Sequence, residues 1–266
     1  MIYLFTVAAP EGSGTKWLAE ALTTEHSYCY HEVSAHWYPS PVLESLTDWL
    51  RVQASGQGFE PAQRRSILQA FPEYFARLWE RARYGQFIVG NCDHYMLGWL
   101  PGLALLWPEM KFIFAIRNGI NCVQSHLVHQ PSIPSSVVAA WERRWQEEDY
   151  FTLCCHRWSE DMQMLLRSRE WLSERKGQLL EVRLENVATD LSELRNVWDW
   201  IGIGKWEEYA MRNAKLLQAT ADEGASGPRS IVEPEAIWMA WSTSQREVFR
   251  RICAMSMAQA RYQLPD

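Results

Sequence analysis

The chain has 266 residues, 47% of them hydrophobic, which is enough to bury one large core without disulfide or metal staples. With 26 Lys and Arg against 32 Asp and Glu it carries a formal charge of −6, which argues against nucleic-acid binding as its main business. Its six cysteines are scattered except for the adjacent Cys154 and Cys155, a poor disulfide pair and not a zinc-ligand spacing, so a reducing compartment fits best.

The first predicted element is an apolar strand over residues 2–7, followed by Ala-Pro-Glu-Gly-Ser-Gly-Thr-Lys-Trp-Leu at 9–18 and a helix over 16–24. Strand, glycine-rich turn and helix in that order are how a phosphate-binding loop is built. Gly12 and Gly14 reach backbone angles closed to other residues, so the N–H groups around Ser13 and Thr15 can turn inward, and the helix directs its positive end at the same spot. An anionic ligand is expected there, although an ordinary strand-to-helix turn has the same outline. Residues 34–63, rich in Pro, Ser, Gly and Gln, read as a long excursion, a candidate wall of a binding site. A helical pattern over 70–82 precedes a strand at 87–90, which brings Asp93 and His94 to its end.

The strand predicted at 111–117 ends on Arg117-Asn118-Gly119 and runs into a helix-like stretch carrying Ser125. A guanidinium supplies a planar fork of donors and the serine hydroxyl another, so the two can converge on one phosphate. Helical patterns follow at 137–150 and 156–172, a strand at 178–184, and helices at 191–201 and 234–260. Short apolar strands alternating with helices imply an α/β fold of three layers, with a mostly parallel central sheet flanked by helices. Ligands then gather at the carboxyl ends of the strands.

These residues carry a resemblance to the sulfotransferases that use 3′-phosphoadenosine 5′-phosphosulfate. Ser13-Gly14-Thr15 and Trp17 are similar to that family's first loop, Pro-Lys/Arg-Ser-Gly-Thr-Thr-Trp. Arg117 and Ser125 are similar to its second, Arg-x-Pro followed by a serine. Glu181-Val-Arg-Leu-Glu-Asn-Val and Ile201-Gly-Ile-Gly resemble its later strand end and the turn after it, so the likeness runs from Ile2 to about Tyr262. It implies one P-loop-containing sulfotransferase-like domain over residues 1–266. The implied reaction moves a sulfuryl group from the phosphosulfate to a hydroxyl or amine of a small-molecule or carbohydrate acceptor. Gly12, Ser13, Gly14, Thr15, Lys16, Trp17, Arg117 and Ser125 would bind the nucleotide, Trp17 by stacking on adenine unless it is simply core. Arg229 would join them from a closing loop hinged at Gly224 and Gly227.

Two departures stand out. Gly12 occupies the place of the family's basic residue, and Lys16 stands where a second threonine is usual, which makes Lys16 the obvious substitute cation. For the base that takes the acceptor proton, the resemblance points first to His94, with Asp93 its neighbour and rival and Glu32 a further candidate. His26, His31, His36 and Cys29 match no zinc spacing, and no metal is assigned. A secretion signal and a membrane-length apolar run are both missing from the sequence, so a soluble cytoplasmic protein without a membrane or nucleic-acid partner is expected.

Two other readings stay open. An ATP-dependent P-loop kinase of small molecules is one. Its loop places lysine directly after glycine, however, whereas Thr15 intervenes here, and no strand-end aspartate suited to magnesium follows an apolar run. The other is a catalytically inactive nucleotide-binding relative, prompted by the missing basic residue at Gly12.

Overall fold

The computed structural model describes residues 3–32, 80–98, 100, 103–104, 107–129, 133, 135–173, 178–222 and 233–265. The predicted excursion over 34–63, most of the helix over 70–82, and Arg229 with its glycine hinges lie outside the described residues.

Five strands form one sheet: β1 (Tyr3–Ala8), β2 (Ser27–His31), β3 (Ile88–Cys92), β4 (Lys111–Ile116) and β5 (Leu179–Arg183). They are all parallel and ordered β2-β3-β1-β4-β5. The α/β expectation therefore holds. Alternation along the strands explains the layering, since successive side chains leave a strand on opposite faces. On one face Leu4, Ala8, Phe112, Phe114 and Ile116 belong to an apolar cluster with Trp158, Trp238, Phe249 and Met257. On the other, Phe5, Val7, Ile113 and Ala115 join Trp17, Leu18, Leu22, Val197 and Trp198. A sheet buried on both sides has to be sandwiched by helices.

The helices that contribute to the first face are α2 (Gly119–His129), α4 (Tyr150–Ser173), α8 (Pro234–Ala240) and α9 (Thr243–Gln259). The second face is covered by α1 (Thr15–Ala21), the short α5 (Leu184–Val187), α6 (Leu191–Ile201) and the start of α7 (Trp206–Asp222). A further helix, α3 (Ser135–Trp145), buries Trp141. The helix expected over 137–150 ends five residues early, with Gln146 in a left-handed φ of +53°, and α4 begins at Tyr150, where the Asp149 carboxylate accepts the Thr152 N–H at 2.9 Å. The long C-terminal pattern also divides: Ser242 caps α9 in a reciprocal box with Gln245, so α8 and α9 are separate helices.

One strand was not foreseen. β2, Ser-Tyr-Cys-Tyr-His, is a short edge strand whose burial alternates only weakly, and its sequence has no run of branched apolar residues to announce it. Its register is what matters for the site, because His31 pairs with Cys92 and the residues after both strands come side by side.

Beyond β5 the chain closes back on its own strand ends. The Arg183 guanidinium donates to the carbonyls of Ala260 and Arg261, both at 3.1 Å, and lies over the Tyr262 ring. The Tyr262 hydroxyl donates to one oxygen of Glu185 at 2.9 Å, and the other Glu185 oxygen accepts the Asn118 N–H at 2.7 Å.

Candidate active site

The candidate residues that fall within the described chain, Ser125 and the α1 side chains apart, lie just past the carboxyl end of a strand: Gly12 to Thr15 after β1, Glu32 after β2, Asp93 and His94 after β3, Arg117 after β4. The chain leaves β1 toward β2 on one side and leaves β4 toward β5 on the other. The crevice between β1 and β4 is therefore the topological switch point at which open parallel sheets bind ligands.

The first loop is shaped by its glycines. Gly12 and Gly14 have φ of +80° and +69°, a region that costs other residues strain. A Cβ on Gly12 would also lie 3.3 Å from the carbonyl of Cys122 and 3.5 Å from the Ser125 Cβ, a tight fit against α2 that adds to the strain of the positive φ. Glycine therefore suits this position better than a larger residue does. Ser13 is fully buried, its N–H donating to the Pro10 carbonyl at 3.1 Å, while Thr15 Oγ1 lies 3.1 Å from His31 Nε2. Arg117 bridges the two loops, its guanidinium donating to the Gly12 carbonyl at 2.7 Å while only 6% exposed. Half-buried Ser125 lies alongside Gly12.

Lys16 is exposed on the first turn of α1, and its charge helps to lower the His31 pKa, behind burial, which is the main cause. Trp17 is 2% exposed within the core cluster of α1, the structural alternative to a stacking role.

The three candidate bases are not equivalent. Glu32 and His94 come together, Glu32 Oε1 lying 3.4 Å from His94 Nδ1. The β2–β3 register produces this meeting and is reinforced where the Glu32 N–H donates to the Cys92 carbonyl at 3.0 Å. Glu32 takes a φ of +52°, which is costly for a glutamate and persists only when its surroundings impose it. Asp93 is fully buried and accepts the Asn91 side-chain amide at 3.2 Å, on the inner side of the strand end.

His94 Nε2 is directed toward Glu11 Oε2 at 3.9 Å. Burial alone would push the His94 pKa down, but its hydrogen bond to Glu32 and the Glu11 charge outweigh this, and the balance lies above the ordinary histidine value. Donation from His94 likewise holds Glu32 below the usual carboxylate range, against a smaller opposing effect of burial.

Behind this pair lies a charged group that sequence reasoning missed. Arg157 Nε approaches Glu11 Oε2 at 3.5 Å and Asp161 Oδ2 at 3.3 Å, and the same Asp161 oxygen accepts the Glu11 N–H at 3.2 Å. Asp161 is fully buried, and burial, only partly offset by Arg157 and His94, lifts its pKa to about 6. A signal was present. Within α4, Asp161 shares a face with Trp158, Met162 and Leu165, and an aspartate inside an apolar stripe must have a partner.

Among the described residues no group of three or more His, Cys, Asp or Glu is arranged to hold a metal ion. All six cysteines are buried and free. No helix among the described residues is long and apolar enough to cross a membrane.

The sequence model of the sulfotransferase family matches residues 5–208, which take in most of β1, the other four strands, both loops and the His94 site. The chain belongs to the sulfotransferase family. Solved sulfotransferases share its fold at low identity. The sulfotransferase domain from the curacin biosynthetic pathway aligns over 99% of both chains at 13% identity and a TM-score of 0.52. The sulfotransferase from Alicyclobacillus acidocaldarius aligns over 99% of this chain and 98% of its own at 15% identity and a TM-score of 0.50. The sulfotransferase domain of the Synechococcus PCC 7002 olefin synthase aligns over 100% and 96% at 14% identity and a TM-score of 0.50. No curated protein matches this sulfotransferase by sequence.

Proposed function

We propose that the protein transfers the sulfuryl group of 3′-phosphoadenosine 5′-phosphosulfate to a hydroxyl or amine of a small-molecule or carbohydrate acceptor, by in-line displacement within a single domain. The observation that carries the reading is the Arg117 bond to the Gly12 carbonyl, which brings two anion-binding loops 105 residues apart in sequence into one crevice. A guanidinium is a planar fork of donors suited to a phosphate, Ser125 lies alongside Gly12, and a left-handed loop of this kind can aim backbone N–H groups at an anion. These groups suit a nucleotide that carries phosphates at two positions.

The acceptor oxygen attacks sulfur while the bond from sulfur to the 5′-phosphate oxygen breaks, and the bonding pair leaves with the bisphosphate. His94 Nε2 takes the acceptor proton. Glu32, at Nδ1, orients the ring and stabilises the imidazolium that forms, so Glu32 acts as a partner of His94. Lys16 is the cation for charge growing on the departing phosphate, in place of the basic side chain that Gly12 lacks. The loops supply these charges themselves, so the scheme uses no metal. Free, buried cysteines are consistent with work in the reducing cytoplasm.

The test is a calorimetric titration with adenosine 3′,5′-bisphosphate and, separately, with ATP and magnesium. The bisphosphate should bind more tightly. Equal affinities, or a preference for magnesium ATP, would overturn the donor assignment in favour of a phosphotransferase.

A further inference from the structure

A carboxylate in a loop that binds phosphate should weaken that loop's grip on its ligand, yet Glu11 occupies the residue directly before Gly12. The structure shows what becomes of it. Its N–H is held by Asp161, and its carboxylate lies 3.5 Å from Arg157 and 3.9 Å from His94. Arg157 and Asp161 are one turn apart on α4, so both project from a rigid element toward the same loop residue. Asp161 is fully buried, and its Oδ1 has no hydrogen-bond partner among the described residues, so its burial is repaid only through Oδ2.

We propose that Arg157 and Asp161 form a tether from α4 that pins Glu11 against His94, so that this acidic residue of the anion loop helps to position the catalytic imidazole instead of repelling the bound nucleotide. Arg157, Asp161 and Glu11 are thus positioning residues. The tether balances charge as well as geometry. The groups facing His94 are Glu32 from the end of β2, Glu11 from the loop after β1, Arg157 and Asp161 from α4, and the histidines His31 on β2 and His126 on α2. Glu11 favours the imidazolium and Arg157 opposes it, so removing either shifts His94 in opposite directions.

The inference rests on the proposed nucleotide site, and two measurements separate the two claims. The first is titration of adenosine 3′,5′-bisphosphate into the wild type, R157Q, E11Q and the double variant. R157Q frees the Glu11 charge beside the ligand and should weaken binding by about tenfold. E11Q should bind at least as tightly as the wild type, and the double variant should return to within about threefold of it. Unchanged binding in R157Q, or a double variant as weak as R157Q alone, overturns the tether.

The second measurement needs no nucleotide. In histidine-labelled protein, with the His94 resonance assigned through H94Q, the NMR titration midpoint of His94 should fall in E11Q and rise in R157Q, each by about half a pH unit or more. An unchanged midpoint in E11Q overturns the inference even if R157Q does not fold. A wild type that binds no bisphosphate, with midpoints that shift as described, overturns the nucleotide site and leaves the tether standing.

Discussion

The two halves of the candidate site are assembled differently. The anion half, Gly12 to Thr15 with Arg117, comes from loops that each announce themselves locally, and one contact, Arg117 to Gly12, joins them. The proton-handling half is a charged cluster of Glu32, His94, Glu11, Arg157 and Asp161, drawn from three strand ends and the middle of α4. The first half is made by the left-handed turn at Gly12 and Gly14 and by one guanidinium bonded to its backbone. The second depends on side-chain charges that compensate one another around the buried His94 and Asp161, where losing one partner strands the others.

If the anion half supplies the charge that drives the leaving group away, Lys16→Met should slow single-turnover transfer to a productive acceptor by about two to three orders of magnitude while weakening bisphosphate binding only modestly. Near-normal transfer would move that role to another cation. In the other half, His94→Gln should lower turnover by about a hundredfold or more and leave bisphosphate affinity nearly intact, which would separate proton transfer from anion binding.

The same variant has a signature in stability. The folded pKa of His94 is raised above 6.5, so the protonated ring stabilises the fold fully below that pH, and the contribution is lost as pH rises through the folded value. Melting temperature should therefore fall less steeply with pH above 6.5 in His94→Gln than in the wild type, and parallel curves would contradict the ion pairing described here. Arg117→Ala should cost about 1.5–3 kcal/mol per lost hydrogen bond, roughly ten- to a hundredfold in bisphosphate affinity by calorimetry.

Smallest is the effect of Ser242→Ala, remote from both halves. It removes the cap of α9, in which Ser242 Oγ accepts the Gln245 N–H at 3.2 Å, and should lower stability by about 1 kcal/mol in denaturant melts without changing nucleotide affinity. A change in affinity there would mean that the two halves are not separable from the rest of the fold.

The same contrast decides what could be read from sequence. The parallel α/β architecture, the glycine turn, Arg117 with Ser125, and His94 at a strand end were legible because each depends on residues close together in the chain. β2 was not, since an edge strand of tyrosines, cysteine and histidine lacks the apolar run of its central neighbours; without it the meeting of Glu32 and His94 could not be foreseen. Glu11 was passed over within its own motif because its partners lie about 150 residues away, on one face of α4. Trp17 shows the reverse limit: a motif position can suggest stacking while the fold gives the indole to the core.

The closure of the chain at Tyr262 also bears on the order in which the protein matures. Glu185 holds the Asn118 N–H, at the turn beside Arg117, with one oxygen and the Tyr262 hydroxyl with the other, and Arg183 grips the carbonyls of Ala260 and Arg261. During synthesis all five strands emerge by Arg183, yet α8 and α9, which help cover one face of the sheet, and the Tyr262 support of the turn after β4 come last. A nascent chain that stops short of Tyr262 would thus lack the contact that fixes the Asn118 turn beside Arg117, and the crevice between β1 and β4 would take its final shape only when that segment docks.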